Sequence, residues 1–134
     1  MVPRPASAVR RAKRGRLSRS AEFERVFRQG RSVANRALVL YSFPRGEDGP
    51  PAPPRLGLSV SRKVGGAVER NRVKRLLREA FEAEVEQLPM GRDVVLVARP
   101  DLRDVVERDG LAGVRGVLGE LVAQLREQVE REAG

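Results

Sequence analysis

The feature that most constrains this chain is residues 67–81, which read Ala-Val-Glu-Arg-Asn-Arg-Val-Lys-Arg-Leu-Leu-Arg-Glu-Ala-Phe. Apolar residues recur there at helical spacing, at positions 73, 76, 77, 80 and 81, which predicts an α-helix with one face in a core. Cationic side chains dominate the rest of the helix. Arg70, Lys74 and Arg78 form a row spaced four residues apart. Arg75 and the uncharged Asn71 lie beside this row, and Arg72 lies across the helix.

A helix of this kind predicts a polyanionic partner. Guanidinium groups pair with phosphate oxygens and stack on base planes, which favours RNA. The alternative is an exposed basic face with no partner. Such a face usually mixes charges of both signs, and here only Glu69 interrupts the basic set.

Length and composition narrow the class of protein. A chain of 134 residues is sufficient for one domain with its own core. It contains no cysteine and no histidine, which excludes disulfide scaffolds, zinc ribbons, thiol nucleophiles and imidazole bases. No apolar stretch approaches the length needed to span a bilayer, and we expect residence in the cytoplasm.

Charge is distributed unevenly along the chain. Residues 1–78 carry a net charge of +15 and residues 79–134 carry −6. This polarity predicts one surface for a polyanion. Residues 1–16, which lack acidic residues, are predicted to form a flexible basic arm that orders on nucleic acid. The alternative for this arm is an organellar transit peptide, although nothing marks a cleavage site.

The residue patterns predict one small α/β domain in the order helix, strand, strand, helix, strand, helix. Ser20 caps the first helix, in which Phe23 and Phe27 lie on one side, and Gly30 ends it. Strands are predicted over 37–43, 56–60 and 94–98, a Pro/Gly surface loop over 44–54, and a last helix from residue 111. The segment 55–98 predicts a parallel pair of strands joined by a helical crossover.

Alternation within these strands separates two faces. In the first strand it places Val39, Tyr41 and Phe43 on one face and Leu38 and Leu40 on the other. In the next strand, Leu56, Leu58 and Val60 form an apolar face, and Gly57, Ser59 and Ser61 lie opposite. The small side chains of that second face predict a shallow groove floor.

Four motifs of this sequence resemble motifs of the protein subunit of bacterial ribonuclease P, and they follow one another along the chain in the same order as in that family. The signature helix is matched by residues 70–79 (Arg-Asn-Arg-Val-Lys-Arg-Leu-Leu-Arg-Glu), and the first helix by residues 23–30 (Phe-Glu-Arg-Val-Phe-Arg-Gln-Gly). The first strand is matched by Val-Ala-Asn-Arg at 33–36 with Val-Leu-Tyr at 39–41, and the next strand by Leu-Gly-Leu-Ser-Val-Ser-Arg-Lys at 56–63. The resemblance covers about residues 17 to 125.

The resemblance implies a fold and a domain organisation. The fold would be a two-layer α+β domain over residues 17–130, with a mixed sheet of about four strands covered by three helices. Its β-α-β crossover would be left-handed, against the usual rule.

The resemblance also implies a function and its residues. In this family a large RNA, with Mg²⁺ bound mainly by that RNA, removes the 5′ leader of precursor transfer RNA, and the protein alone is not catalytic. The protein binds the catalytic RNA and the leader, and neither a membrane nor DNA is an expected partner. The signature helix would contact the catalytic RNA through Arg70, Asn71, Arg72, Lys74, Arg75 and Arg78. A cleft would hold the leader through Phe23, Phe27, Val39, Tyr41, Ser59, Ser61, Arg62 and Lys63.

Two other functions fit the residues less well. A two-metal nuclease needs converging carboxylates, and the candidates, Asp93, Asp101, Asp104 and Asp109, lie in the acidic half of the chain. Asp101 follows Pro100 and is better interpreted as a helix cap. The second alternative is a ribosomal or RNA-chaperone protein without an enzymatic partner. The sequence thus predicts no catalytic residue and no metal ligand on the protein.

Overall fold

The computed structural model describes residues 31–44, 54–88 and 91–133. The basic arm, the predicted first helix with Phe23 and Phe27, and most of the 44–54 loop lie outside these ranges. Along the chain, the described elements are β1 (Arg31–Ala34), β2 (Leu38–Pro44), β3 (Arg55–Ser59), α1 (Ala67–Glu84), a 3₁₀ turn (Val85–Gln87), β4 (Arg92–Ala98) and α2 (Asp101–Ala133). No helix within the described ranges is both long and apolar enough to cross a membrane.

The strands form one mixed four-stranded sheet in the order β1-β2-β4-β3. β2 is antiparallel to β1 and to β4, whereas β3 and β4 are parallel and α1 lies in the connection between them. The small α+β fold, with its parallel pair and helical crossover, is therefore confirmed. The residue pattern misses β1, because Arg31 and Ser32 give this short strand little apolar content. The left hand of the crossover stays a prediction.

Alternation along β2 separates two faces of the sheet, as predicted. Leu38 and Leu40 are fully buried, and Val39 and Tyr41 are half-buried on the opposite face. The register of the strands extends this separation of faces across the sheet, since the buried Leu40 pairs with the buried Leu96 of β4. One face of the sheet therefore supplies the main core, and the other carries Val39 and Tyr41.

The predicted apolar face of α1 lies in that core. Its buried residues are Val73, Leu76, Leu77, Ala80 and Phe81, all five of the predicted positions. They belong to one cluster with Leu40 and Leu96 of the sheet and with Leu118, Leu121 and Leu125 of α2. Because full burial of a large apolar side chain contributes about 1.5–3 kcal/mol, this contact determines which way α1 faces.

α2 begins ten residues before the predicted stripe and is interrupted once. Leu102 and Val106 are buried in its first segment, and Asp101 is its first residue, not the capping residue before it. The interruption falls at Gly110, whose φ of 59° and ψ of −141° leave the helical region. Glycine adopts this left-handed φ without the cost that a Cβ imposes.

Asn35 fixes the turn between β1 and β2 against α2. Its Oδ1 accepts hydrogen bonds from the backbone N–H groups of Ala37 (3.0 Å) and Leu38 (2.9 Å). Its Nδ2 donates to the carbonyl oxygen of Val117 at 3.0 Å. Asparagine suits this position because its short amide can satisfy the backbone of a turn.

A buried ion pair joins the parallel strands at the beginning of β3 and β4. Asp93 is fully buried, and Arg55 is its register partner. The Arg55 guanidinium donates from Nε to Oδ1 at 2.9 Å and from Nη2 to Oδ2 at 2.6 Å. This two-point contact compensates a carboxylate that would otherwise be buried at high cost.

Replacing Arg55 with alanine should lower the free energy of unfolding by about 3–5 kcal/mol, because the Asp93 carboxylate loses its compensating charge. Replacing Arg55 and Asp93 together with leucine should recover most of that loss. Urea denaturation followed by circular dichroism measures both changes, with the exposed Arg115→Ala as the control. A loss of less than about 1 kcal/mol in Arg55→Ala would mean that the pair behaves as an ordinary surface salt bridge.

Candidate nucleic-acid interface

The position of the basic side chains depends on where α1 begins. Gly66 precedes the helix in an extended conformation (φ −74°, ψ −176°), and its carbonyl accepts the first helical hydrogen bond from the Arg70 N–H at 2.9 Å. Gly66 has no side chain to cap the helix. The Glu69 carboxylate reaches back instead and accepts a hydrogen bond from the Gly66 N–H at 2.8 Å.

The outermost side of α1 carries Asn71, Arg72 and Arg75, all of which are exposed. No ion pair joins Arg72 or Arg75 to another residue of the described ranges. Two of the predicted RNA-contacting arginines therefore present full charges to solvent.

Arg70, Lys74 and Arg78 line the flank of α1 instead of its outermost side. All three are half-buried. Burial, with a further contribution from Arg70 and Arg78, holds the pKa of the Lys74 ammonium below its usual value. Arg70 Nε is buried and has no hydrogen-bond partner in the described part of the chain. A bound phosphate would relieve the like-charge repulsion and raise the Lys74 pKa.

The turn between β3 and α1 continues the basic surface. Ser61 is half-buried and organises this turn, since its carbonyl accepts from the Val64 N–H at 3.0 Å and its Oγ from the Lys63 N–H at 3.3 Å. Arg62 and Lys63 are exposed. The structure therefore brings Arg62 and Lys63 next to the beginning of the basic helix.

The sheet face with Val39 and Tyr41 is the predicted leader platform. Val39 pairs with Val97 of β4, which in turn pairs with Ser59 of β3, so these residues cross the sheet in one row. Ser59 is only 3% exposed, and its contact with the leader stays a prediction. Phe23 and Phe27 lie outside the described residues.

Sequence reasoning missed two residues at this face and its edge. Val97 is half-buried and pairs with Val39 on this face. Arg99, directly after β4, is exposed and donates from Nη1 to the carbonyl oxygen of Asn35 at 3.0 Å. The predicted parallel pairing of β3 and β4 could have identified both residues, because it places the ends of these strands at the same edge of the sheet.

The carboxylates considered for a nuclease do not converge. Asp93 is engaged by Arg55, Asp101 and Asp104 lie in the first turn of α2, and Asp109 pairs with Arg108 at 3.0 Å. Among residues 31–44, 54–88 and 91–133, no group of three or more acidic side chains could hold a metal ion. The described carboxylates do not fit a protein-only metal nuclease.

A small α+β domain with a core-anchored, arginine-rich helix is typical of proteins that bind a polyanion. The model of the Ribonuclease P family matches residues 12–122. The ribonuclease P protein component of Halalkalibacterium halodurans is 48% identical over 94 residues, which make up 69% of this chain and 76% of that protein. The solved ribonuclease P protein of Staphylococcus aureus has a TM-score of 0.71 and 31% identity, covering 84% of this chain and 96% of that one. The Thermotoga maritima protein gives 0.71 and 33%, covering 83% and 97%.

The chain belongs to the ribonuclease P protein family. The resemblance of the four motifs is thereby confirmed, and with it the interpretation as a subunit of an RNA-processing endoribonuclease. A ribosomal or RNA-chaperone protein is not favoured. The comparisons leave the individual contact residues as predictions.

Replacing Arg75 with alanine should weaken binding to a ribonuclease P RNA and make its salt dependence shallower. Each lost phosphate contact should reduce the slope of log affinity against log salt by about 0.7–0.9. Titrations at several salt concentrations measure the slope, and Arg115→Ala on α2 removes the same charge from an exposed site elsewhere. Equal slopes in Arg75→Ala and the unmodified chain would remove Arg75 from the interface.

Proposed function

We propose that this chain binds the catalytic RNA of ribonuclease P and the 5′ leader of precursor transfer RNA, and so promotes Mg²⁺-dependent removal of the leader. The observation that carries the proposal is a helix anchored in the core whose exposed Arg72 and Arg75 form no ion pair with any other residue of the described ranges. The proposed contacts to the catalytic RNA are Arg70, Asn71, Arg72, Lys74, Arg75 and Arg78.

The two sides of α1 make different contributions in this proposal. Arg72 and Arg75 reach the RNA first, because they are exposed and their guanidinium groups can each take two phosphate oxygens. Lys74 and Arg70 sit lower on the flank, where desolvation strengthens their interaction with a phosphate that comes close. The charge of the helix steers the RNA, and the fixed backbone sets the register.

The leader contacts extend along the sheet edge and the following turn. Tyr41 offers a half-buried ring on which an unpaired base can stack, and stacking of this kind accepts any base. Arg62 and Lys63 would contact the leader phosphates, which their exposure permits. The proposed set is Phe23, Phe27, Val39, Tyr41, Ser59, Ser61, Arg62 and Lys63. Within it, Ser59 requires local opening because it is buried.

Mg²⁺ enters this proposal as a ligand of the RNA. The described residues provide no cluster of acidic side chains for it, so no protein residue is assigned to it. When bound to the RNA, Mg²⁺ would supply a Lewis acid for the attacking water and for the leaving oxygen. The chain's own residues bind and orient the two RNA molecules.

The remaining predictions concern organisation and location. The arm over residues 1–16 would add RNA affinity without contributing to the domain over 17–130. Residence in the cytoplasm and the lack of a DNA partner also stay predictions.

The function is tested by cleavage of precursor transfer RNA at low Mg²⁺ by the catalytic RNA, with and without the purified chain. The chain should accelerate cleavage by the RNA and cleave nothing alone. Tyr41→Ala should lose about 1–3 kcal/mol of leader binding with a long leader and little with a one-nucleotide leader, because only a long leader reaches the ring. Tyr41→Phe keeps the stacking surface and serves as the matched control.

Three results would contradict the proposal. Cleavage by the chain alone would indicate a nuclease, and no stimulation of the catalytic RNA would indicate a chaperone. Equal losses for Tyr41→Ala with long and short leaders would remove the leader cleft.

A further inference from the structure

Glu69 is an acidic residue in the first turn of the basic helix. It follows the cationic pair Arg62 and Lys63 and directly precedes Arg70. A carboxylate at this position repels a polyanion, so its charge alone opposes RNA binding. Its contacts give a physical reason for its presence.

Each oxygen of the Glu69 carboxylate has a different partner. Oε1 accepts the hydrogen bond from the Gly66 N–H at 2.8 Å. Oε2 lies 3.6 Å from Nη2 of Arg103 on α2. The carboxylate therefore connects the end of the turn before α1 to the second helix of the core.

The two glycines before α1 leave space for this carboxylate because they have no side chains. A Cβ at Gly65 would lie 2.9 Å from Glu69 Cβ and 3.2 Å from its Oε1, and one at Gly66 would lie 3.1 Å from Oε1. Ordinary side chains at these positions would press on the carboxylate. The glycine pair and Glu69 thus form one packed unit that sets where the turn ends and the helix begins.

Arg103 holds the other side of this unit. It is 3.6 Å from Glu69 and 3.4 Å from Glu107, so two carboxylates share its charge. All three side chains are partly exposed, and an exposed pair of this kind adds little to global stability. Its effect is local: it restrains Glu69 and offsets the acidic charge next to the RNA surface.

We propose that Glu69 and Arg103 are positioning residues that fix the turn carrying Arg62 and Lys63 relative to α1, and that this geometry is needed for full RNA affinity. The proposal rests on the proposed function, because it assumes that this surface binds RNA. It adds a role for two residues outside the predicted contact set.

Two substitutions at Glu69 separate geometry from charge. Glu69→Gln and Glu69→Ala remove the same negative charge, but only glutamine keeps an oxygen that can accept from the Gly66 N–H. We expect Glu69→Gln to bind ribonuclease P RNA about as tightly as the unmodified chain, because losing the ion pair with Arg103 opposes the gain from removing a charge that repels RNA. Glu69→Ala should bind about threefold to tenfold more weakly than Glu69→Gln, because the cap is lost.

Glu79 provides the matched control on the same helix, where it is exposed. Glu79→Gln and Glu79→Ala should bind RNA equally well, since only charge changes there. Arg103→Ala should weaken binding in the unmodified chain and add nothing in the Glu69→Ala background, because Arg103 acts through Glu69. Unfolding curves of every variant ensure that affinities are compared between folded proteins.

Equal affinities for Glu69→Gln and Glu69→Ala would overturn the proposal, as would an Arg103→Ala effect that persists in the Glu69→Ala background. A wrong proposed function would give a different result. The unmodified chain would then show no preference for ribonuclease P RNA over an unrelated transcript of equal length.

Discussion

The burial of one face of α1 is the interaction on which the rest of this structure depends. Repulsion between cations four residues apart costs about 0.2–0.5 kcal/mol per pair, and Arg70, Lys74 and Arg78 form two such pairs. Burial of each large apolar side chain on the opposite side stabilises the fold by about 1.5–3 kcal/mol. With Leu77 and Val73 almost fully buried, packing outweighs repulsion and fixes the rotation of the helix.

Because the rotation of α1 is fixed, its basic side chains divide into an exposed outer set and a half-buried flank. Its outer arginines remain hydrated and attract a polyanion over a distance, whereas its half-buried flank has lost part of its hydration before any ligand arrives. A phosphate that reaches Lys74 would displace little water, because burial already excludes part of the solvent from this ammonium group. The protein therefore holds an unfavourable concentration of positive charge in a stable fold, and RNA binding would relieve it.

Most of the architecture could be predicted from the sequence because it depends on periodicity. The helical spacing of Val73, Leu77 and Phe81 and the alternation along β2 identify buried faces whatever the tertiary details. β1 escaped prediction because its sequence is polar and its pairing with β2 is a tertiary property. Gly110 also escaped, because the last helix was predicted to begin only at residue 111, which left Gly110 outside it.

The candidate site was predicted less completely than the core. Spacing identified the basic residues of α1, but not which of them are half-buried, since that depends on the exact direction in which the apolar face packs. Ser59 looked suitable for a groove because it is small and polar, yet it is buried. Glu69 looked like an interruption of the basic face, and only the positions of Gly66 and Arg103 explain it.

The proposed function requires that the core present one particular set of arginines to RNA. It is tested most directly by modifying arginines with phenylglyoxal, with and without ribonuclease P RNA, and measuring each site by mass spectrometry. We expect strong protection of Arg62, Arg72 and Arg75, with Arg115 and Arg126 on α2 modified equally in both samples. Uniform protection, or protection centred on α2, would contradict it.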